Sequence, residues 1–209
     1  SKQIQEKVAY LEQALGSDHP DRIYLLIGRA FFSQIEGKYT DAEVLYKEAL
    51  TMENVALLYQ RLALSEGTEG TGLPHVGFIF SLLGQLYTEL GNYQQAEIFF
   101  EQAGSIWDQY ATLAPHIFKG PYLHGFAQLA LLKNQYKKAK DLLQQEQVLL
   151  TDILGEDHPI RADNFNALAL LAWSKCDYSL AKGLLHQAKG IFEKTTGLHH
   201  PFAARTLHI

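Results

Sequence analysis

Gly37-Lys38-Tyr39-Thr40-Asp41-Ala42 and Gly91-Asn92-Tyr93-Gln94-Gln95-Ala96 share Gly, Tyr and Ala at the first, third and sixth places. Two looser copies follow, Asn134-Gln135-Tyr136-Lys137-Lys138-Ala139 and Cys176-Asp177-Tyr178-Ser179-Leu180-Ala181. Each places Ala three residues after Tyr, and nine residues before each Tyr stands a small residue: Ala30, Gly84, Ala127 or Ala169. Ten residues after Tyr come Ala49, Ala103 and Ala188, whereas the third copy has Glu146. The Tyr-to-Tyr steps are 54, 43 and 42 residues, so the natural period is about 42, with an insertion between the first two copies.

A second motif keeps the same phase. Leu15-Gly16-Ser17-Asp18-His19-Pro20 returns as Leu154-Gly155-Glu156-Asp157-His158-Pro159 and, more weakly, as Gly197-Leu198-His199-His200-Pro201. Pro74 occupies the same register before Tyr93. Pro suits the first turn of a helix, where its missing N–H has no intrahelical partner, and Asp or His before it can cap. Between these markers the apolar residues recur at three and four, as in Ile4, Val8, Leu11 and Leu15, and no alternating stretch with a hairpin turn is evident. The repeat therefore reads as a helix–turn–helix pair. Its small residues allow close helix approach, its Tyr is expected to pack in the corner, and Thr40 with Glu43 reads as a capping box.

These residues resemble the tetratricopeptide repeat (TPR), and the period near 42 with the Leu-Gly-Xaa-Asp-His-Pro lead-in resembles its kinesin light chain variety, against a usual period of about 34. The resemblance implies an all-α fold, a right-handed α-α superhelix (TPR solenoid) of antiparallel helix pairs. It covers nearly the whole chain, read as a single solenoid over residues 1–209. Full repeats are expected at about 20–65, 74–112, 116–153 and 159–196, partial ones at 1–15 and 201–209, and an insertion loop at 66–72. A helix running on through Leu57, Leu58 and Leu62 should precede that loop, and Gly120-Pro121 should delay or kink the first helix of the third repeat.

Composition sets the outer limits. The 209 residues are 47% hydrophobic and 20% charged, enough to bury a core. No run approaches the roughly 18 apolar residues of a membrane helix, and neither an initiator Met nor an apolar signal segment opens the sequence, so a piece of a longer chain is expected. Lys and Arg number 18 against 23 Asp and Glu, for a net charge of −5, which argues against general affinity for nucleic acid or anionic membrane. Cys176, the sole cysteine, excludes an internal disulfide framework and fits a reducing, cytoplasmic setting.

The sequence carries no recognisable catalytic or metal constellation. The Gly67/Gly70/Gly72 loop lacks the Lys-Ser/Thr and the preceding strand of a phosphate cradle. His19, His116, His158 and His200 are repeat-phased and belong to different connectors, so no metal is expected. Cys176 occupies a turn position filled by Gly in two other copies, which makes it a turn residue rather than a nucleophile. Lys133, Lys137, Lys138 and Lys140 form a local basic cluster, read as a solvated face or as a seat for an acidic partner. The sequence implies no enzyme and no cofactor.

What remains is a protein-interaction scaffold that binds a peptide or partner protein in a groove lined by first helices. A regulatory sensor module controlling an adjacent output domain is the alternative. If first helices line the groove, residues on the side away from the small marker should face it. These are Tyr24, Ile27, Phe31 and Gln34, then Phe78, Ser81, Gln85 and Thr88. His124, Gln128 and Leu131 follow in the third repeat, and Asp163, Asn166, Leu170 and Trp173 in the fourth. Aromatics suit anchoring pockets, while Gln and Asn can pair with the main chain of an extended peptide. A carboxylate clamp of the chaperone-cofactor kind is not expected. The clamp positions hold Ile27, Ser81, His124 and Asn166 followed by Gly28, Leu82, Gly125 and Ala167, with no Lys among them.

Overall fold

The structure, a computed structural model, describes residues 19, 22–63, 74–109 and 118–195. Among them are eight α-helices and no strand: α1 (Arg22–Ile35), α2 (Tyr39–Ala63), α3 (Pro74–Glu89), α4 (Tyr93–Gln109), α5 (Lys119–Leu132), α6 (Tyr136–Leu154), α7 (Pro159–Ser174) and α8 (Tyr178–Lys194). They pack as consecutive pairs, α1 on α2, α3 on α4, α5 on α6 and α7 on α8. The chain divides between residues 110 and 111 into two compact units, the first holding α1–α4 and the second α5–α8. The loop expected at 66–72 and the partial repeats at 1–15 and 201–209 lie outside the described residues.

The repeated phrase is the turn inside each pair, and it is built the same way four times. Gly37, Gly91, Asn134 and Cys176 all have positive φ, at 75°, 73°, 58° and 60°. Each N–H reaches the carbonyl three residues back, and the next N–H reaches five back, as in Gly37 to Gln34 at 3.0 Å and Lys38 to Ser33 at 2.8 Å. This double bond closes the end of the first helix with a left-handed residue. The marker tyrosines Tyr39, Tyr93, Tyr136 and Tyr178 then open the second helices. Asn92 and Asp177 cap two of these through their side chains, accepting from the N–H of Gln95 (3.2 Å) and Leu180 (3.1 Å). The Thr40–Glu43 capping box does not form. Because α2 begins at Tyr39, Lys38 holds the cap position, and Glu43 accepts from Lys47 and from Tyr87, 2.7 Å away on α3. Those two donors hold the Glu43 carboxyl below its ordinary pKa.

The connector reads as the Leu-Gly-Xaa-Asp-His-Pro motif implies. α6 ends at Leu154, Gly155 turns the chain at φ 78°, and Pro159 opens α7. His158 caps α7, its Nδ1 accepting from the Ile160 N–H at 3.3 Å. In the third repeat the first helix starts late, at Lys119, which places Pro121 in its opening turn, where a missing N–H is harmless.

Packing explains the small residues. Ala42, Ala96, Ala139 and Ala181 are all buried, as are Ala30, Gly84, Ala127 and Ala169 on the facing first helices. At Gly84 the fit is tightest: a Cβ there would lie 2.8 Å from the ring of Phe100, seven residues after Tyr93. The same register places Tyr46 and Leu143, both fully buried, in the first and third copies, and the half-buried Leu185 in the fourth. In the first unit these contacts merge into a core of Ile23, Leu26, Ile79, Leu83 and Leu86 around Tyr46. Each such aliphatic side chain contributes about 1.5–3 kcal/mol by leaving water. The second unit carries a separate cluster of Ala162, Phe165, Ala188, Ile191 and Phe192. The corner role expected of the tyrosines holds only in part. Tyr39 packs on the core and Tyr136 is half-buried, but Tyr93 and Tyr178 stand exposed, because the turn's own hydrogen bonds close the corner without a ring.

Two consequences can be measured. Gly84→Ala should cost about 1–3 kcal/mol by overpacking Phe100, although helix propensity alone favours Ala by about 1 kcal/mol. The sign of the melting-temperature change decides which dominates, and a rise would mean the ring moves aside. Cys176→Gly should raise stability by about 1 kcal/mol, since a left-handed L-residue costs roughly 1–2 kcal/mol that Gly avoids. Denaturant titration of the two proteins checks it.

Candidate functional site

In the first unit the residues expected to face a partner divide by burial. Tyr24 and Phe31 on α1 are 51% and 47% exposed. The Tyr24 hydroxyl lies 3.0 Å from His75 Nε2 and the two rings meet edge-on at 5.6 Å, which ties α1 to the start of α3. Phe31 meets Phe32 edge-on, so a small aromatic ridge stands on α1. Ile27 and Gln34 are buried, and Gln34 accepts from the Tyr46 hydroxyl at 3.2 Å. Burial raises the Tyr46 phenol above its ordinary pKa, so it stays a donor. On α3, Phe78 packs against the core and Gln85 is half-buried. The hydroxyls of Ser81 and Thr88 donate to their own helix, at the Gly77 and Gly84 carbonyls (2.6 and 2.8 Å), and offer little to a partner.

The second unit brings His124 and Gln128 together. Gln128 Nε2 lies 2.8 Å from His124 Nε2, and His124 Nδ1 lies 3.2 Å from a carboxylate oxygen of Glu146 on α6. The same oxygen accepts from Asn164 Nδ2 of α7 at 2.8 Å, while that amide also donates to the Leu143 carbonyl at 2.9 Å. A neutral imidazole with its proton on Nδ1 satisfies both contacts, donating to Glu146 and accepting from Gln128. Glu146, only 2% exposed, thus clamps one residue from each neighbouring first helix. Such a carboxylate survives burial because each partner donates to it.

Along α7, Asp163 is half-buried and Asn166 is 1% exposed, its amide nitrogen and oxygen both without a hydrogen-bond partner among the described residues. Leu170 and Trp173 reach solvent at 38% and 53%. Trp173 meets Tyr178, itself 56% exposed, edge-on at 5.0 Å across the α7–α8 turn. The neighbouring Cys176 raises the Tyr178 phenol above its ordinary pKa through a hydrogen bond. Leu131 at the end of α5 is half-buried.

Sequence reasoning missed Tyr178 and His75 as ring partners, and Asn164 as a ligand of Glu146. The one available signal was Glu146 itself, the break in an otherwise small-residue position. Among the described residues, no three His, Cys, Asp or Glu side chains cluster to hold a metal ion. No described helix is long and apolar enough to cross a membrane.

Replacing Glu146 tests the clamp. Glu146→Ala restores the residue of the other copies but strands His124 and Asn164, and should cost about 1–3 kcal/mol. Glu146→Gln, which keeps one acceptor, should cost less. Equal denaturation midpoints for parent and Glu146→Ala would show that the clamp contributes nothing.

No family model matches the chain. Photosystem I assembly protein Ycf3 of Synechococcus elongatus is 30% identical over 112 residues, covering 40% of this chain and 62% of that protein. Its Prochlorococcus marinus counterpart is 25% identical over 116 residues, 44% and 67% of the two chains. The chain thus spans a little under two thirds of the length of the first curated relative. Among solved structures, BtubC (BKLC) from P. vanneervenii superposes with a TM-score of 0.69 at 22% identity, over 97% of this chain and 76% of that one. A putative kinesin light chain with nearly identical TPR-like repeats, from Podosopora anserina, gives 0.57 at 23% identity, over 92% and 84%.

Proposed function

We propose, for a chain whose fold is that of kinesin light chain-like TPR arrays, that it is a non-enzymatic scaffold holding a peptide or partner protein against its first helices. The observation that carries this reading is the set of large side chains those helices leave in solvent: Tyr24, Phe31, Leu170 and Trp173. Trp173, edge-on to the exposed Tyr178, leaves half its surface in solvent, and Trp and Tyr are among the residue types that dominate binding hot spots. On α3 Gln85 supplies a half-buried amide, and His124 with Gln128 supplies polar groups in the second unit, held by Glu146. Ile27, Ser81 and Asn166 lie beneath the surface, so direct contact is assigned to the exposed members, with Phe78 supporting them from the core edge.

The relatives add a direction. Ycf3 carries the name of an assembly protein, and a scaffold of this fold that gathers partner proteins in the cytoplasm agrees with that role. Nucleic acid, membrane and cofactor have no place in the reading. Its test is a comparison of partners captured by the parent chain and by Phe31→Ala, Gln85→Ala and Trp173→Ala variants of verified fold. Loss of specific partners, with binding weakened tenfold or more for each retained one, is the expected result. An unchanged set at unchanged affinity would remove the first-helix faces as the binding surface.

A further inference from the structure

On the second unit, a groove of 490 Å³ opens between α6 and α8, away from the first-helix face. Its floor is leucine: Leu168 and Leu171 from α7, Leu180 and Leu184 from α8. Leu168 and Leu184 are the outer edge of the Ala162/Phe165/Phe192 core, while Leu180 stands 52% exposed. The rim is basic and amide. Lys140 comes from α6 and Lys175 from the α7–α8 turn, with Gln144 and Gln147 between them on the α6 side. Both lysines are exposed and neither forms an ion pair among the described residues. The one carboxylate lining the groove, Asp177, accepts from the Leu180 N–H at 3.1 Å as the cap of α8, and the two lysines outnumber it. Lys137, one turn before Lys140 and also exposed, extends the positive edge along α6.

This groove is not the proposed partner face under another name. Leu171 and Trp173, or Leu168 and Leu170, sit two residues apart on α7, about 200° around a helix of 3.6 residues per turn. The stripe through Leu168, Leu171 and Lys175 therefore faces away from the stripe through Leu170 and Trp173.

We infer that the α6–α8 groove is a second docking surface, and that its occupant is an acidic amphipathic helix whose leucine-type side chains lie on the leucine floor while its carboxylates pair with Lys140 and Lys175. Charge selects the occupant. In a chain of net charge −5, two unpaired ammonium groups flanking an apolar floor attract an Asp/Glu-rich segment and repel a basic one. Leu168 and Leu171 on α7 and Leu180 and Leu184 on α8, spaced three and four along their helices, suit the i, i+3, i+4, i+7 stripe of a helix laid in a groove.

The test uses a labelled helix-forming peptide with Leu at i, i+3 and i+7 spacing and Glu at the remaining positions, titrated with the whole chain by fluorescence anisotropy. A second peptide carries Lys in place of every Glu. The Glu peptide should bind, more weakly as salt rises, and the Lys peptide should not. Lys140→Glu combined with Lys175→Glu, and separately Leu180→Asp, should weaken binding about tenfold or more, with helicity unchanged because all three residues are exposed. Phe31→Ala and Trp173→Ala should leave this binding intact, so the result stands apart from that for the first-helix faces. Three outcomes overturn the inference: no saturable binding of the Glu peptide below about 1 mM, equal binding of the Lys peptide, or binding indifferent to both groove variants.

Discussion

Close approach of paired helices is the constraint on which everything else here rests. A ring at Phe100 or Tyr46 can be fully buried against a first helix only if that helix presents Gly or Ala where the ring arrives. The second helix returns the concession with Ala42, Ala96, Ala139 or Ala181 one turn after its start. The left-handed turn residue then reverses the chain, and its two backbone bonds satisfy two of the carbonyls at the helix end. Once the turn and the small residues are set, the apolar stripes have a single register in which to interdigitate.

The third repeat shows what happens when that rule is broken. Glu146 replaces a small residue, and the carboxylate is retained inside because His124, Asn164 and, through His124, Gln128 converge on it. A hydrophobic contact between helices has become a polar one that reaches three of them. The gain is orientation: the buried Glu146 carboxyl holds His124 and Asn164, and His124 in turn meets Gln128. Such a network is directional in a way that apolar packing is not.

The helices of the second unit thus carry two surfaces of different chemistry. On one side of α7, Leu170 and Trp173 with Tyr178 offer aromatic and aliphatic anchors. On the other, leucines are framed by lysines. Because a helix separates neighbouring residues by about 100°, substitutions two positions apart address the two faces independently.

Period, phase and composition already determined the all-α class, the helix pairs and the turn positions, because those depend on local signals: Pro at a helix start, a small residue at a contact, Gly or its substitutes at a positive φ. Even the oddity of Cys176 was legible as a turn residue, and its φ of 60° gives the reason. Burial was decided only by the tertiary structure. Tyr24 and Ile27 stand three residues apart on one helix, yet the first is half in solvent and the second lies in the core. Glu43 looked like a local cap, but Tyr87, 44 residues away, recruits it across the repeat boundary. Glu146 was visible as a departure from the pattern, while its three-helix clamp was not, since its partners are 22 and 18 residues distant in the chain. Local propensity acts over one turn of helix; which polar groups must be paired inside is settled by whatever distant side chains packing brings within 3 Å or so.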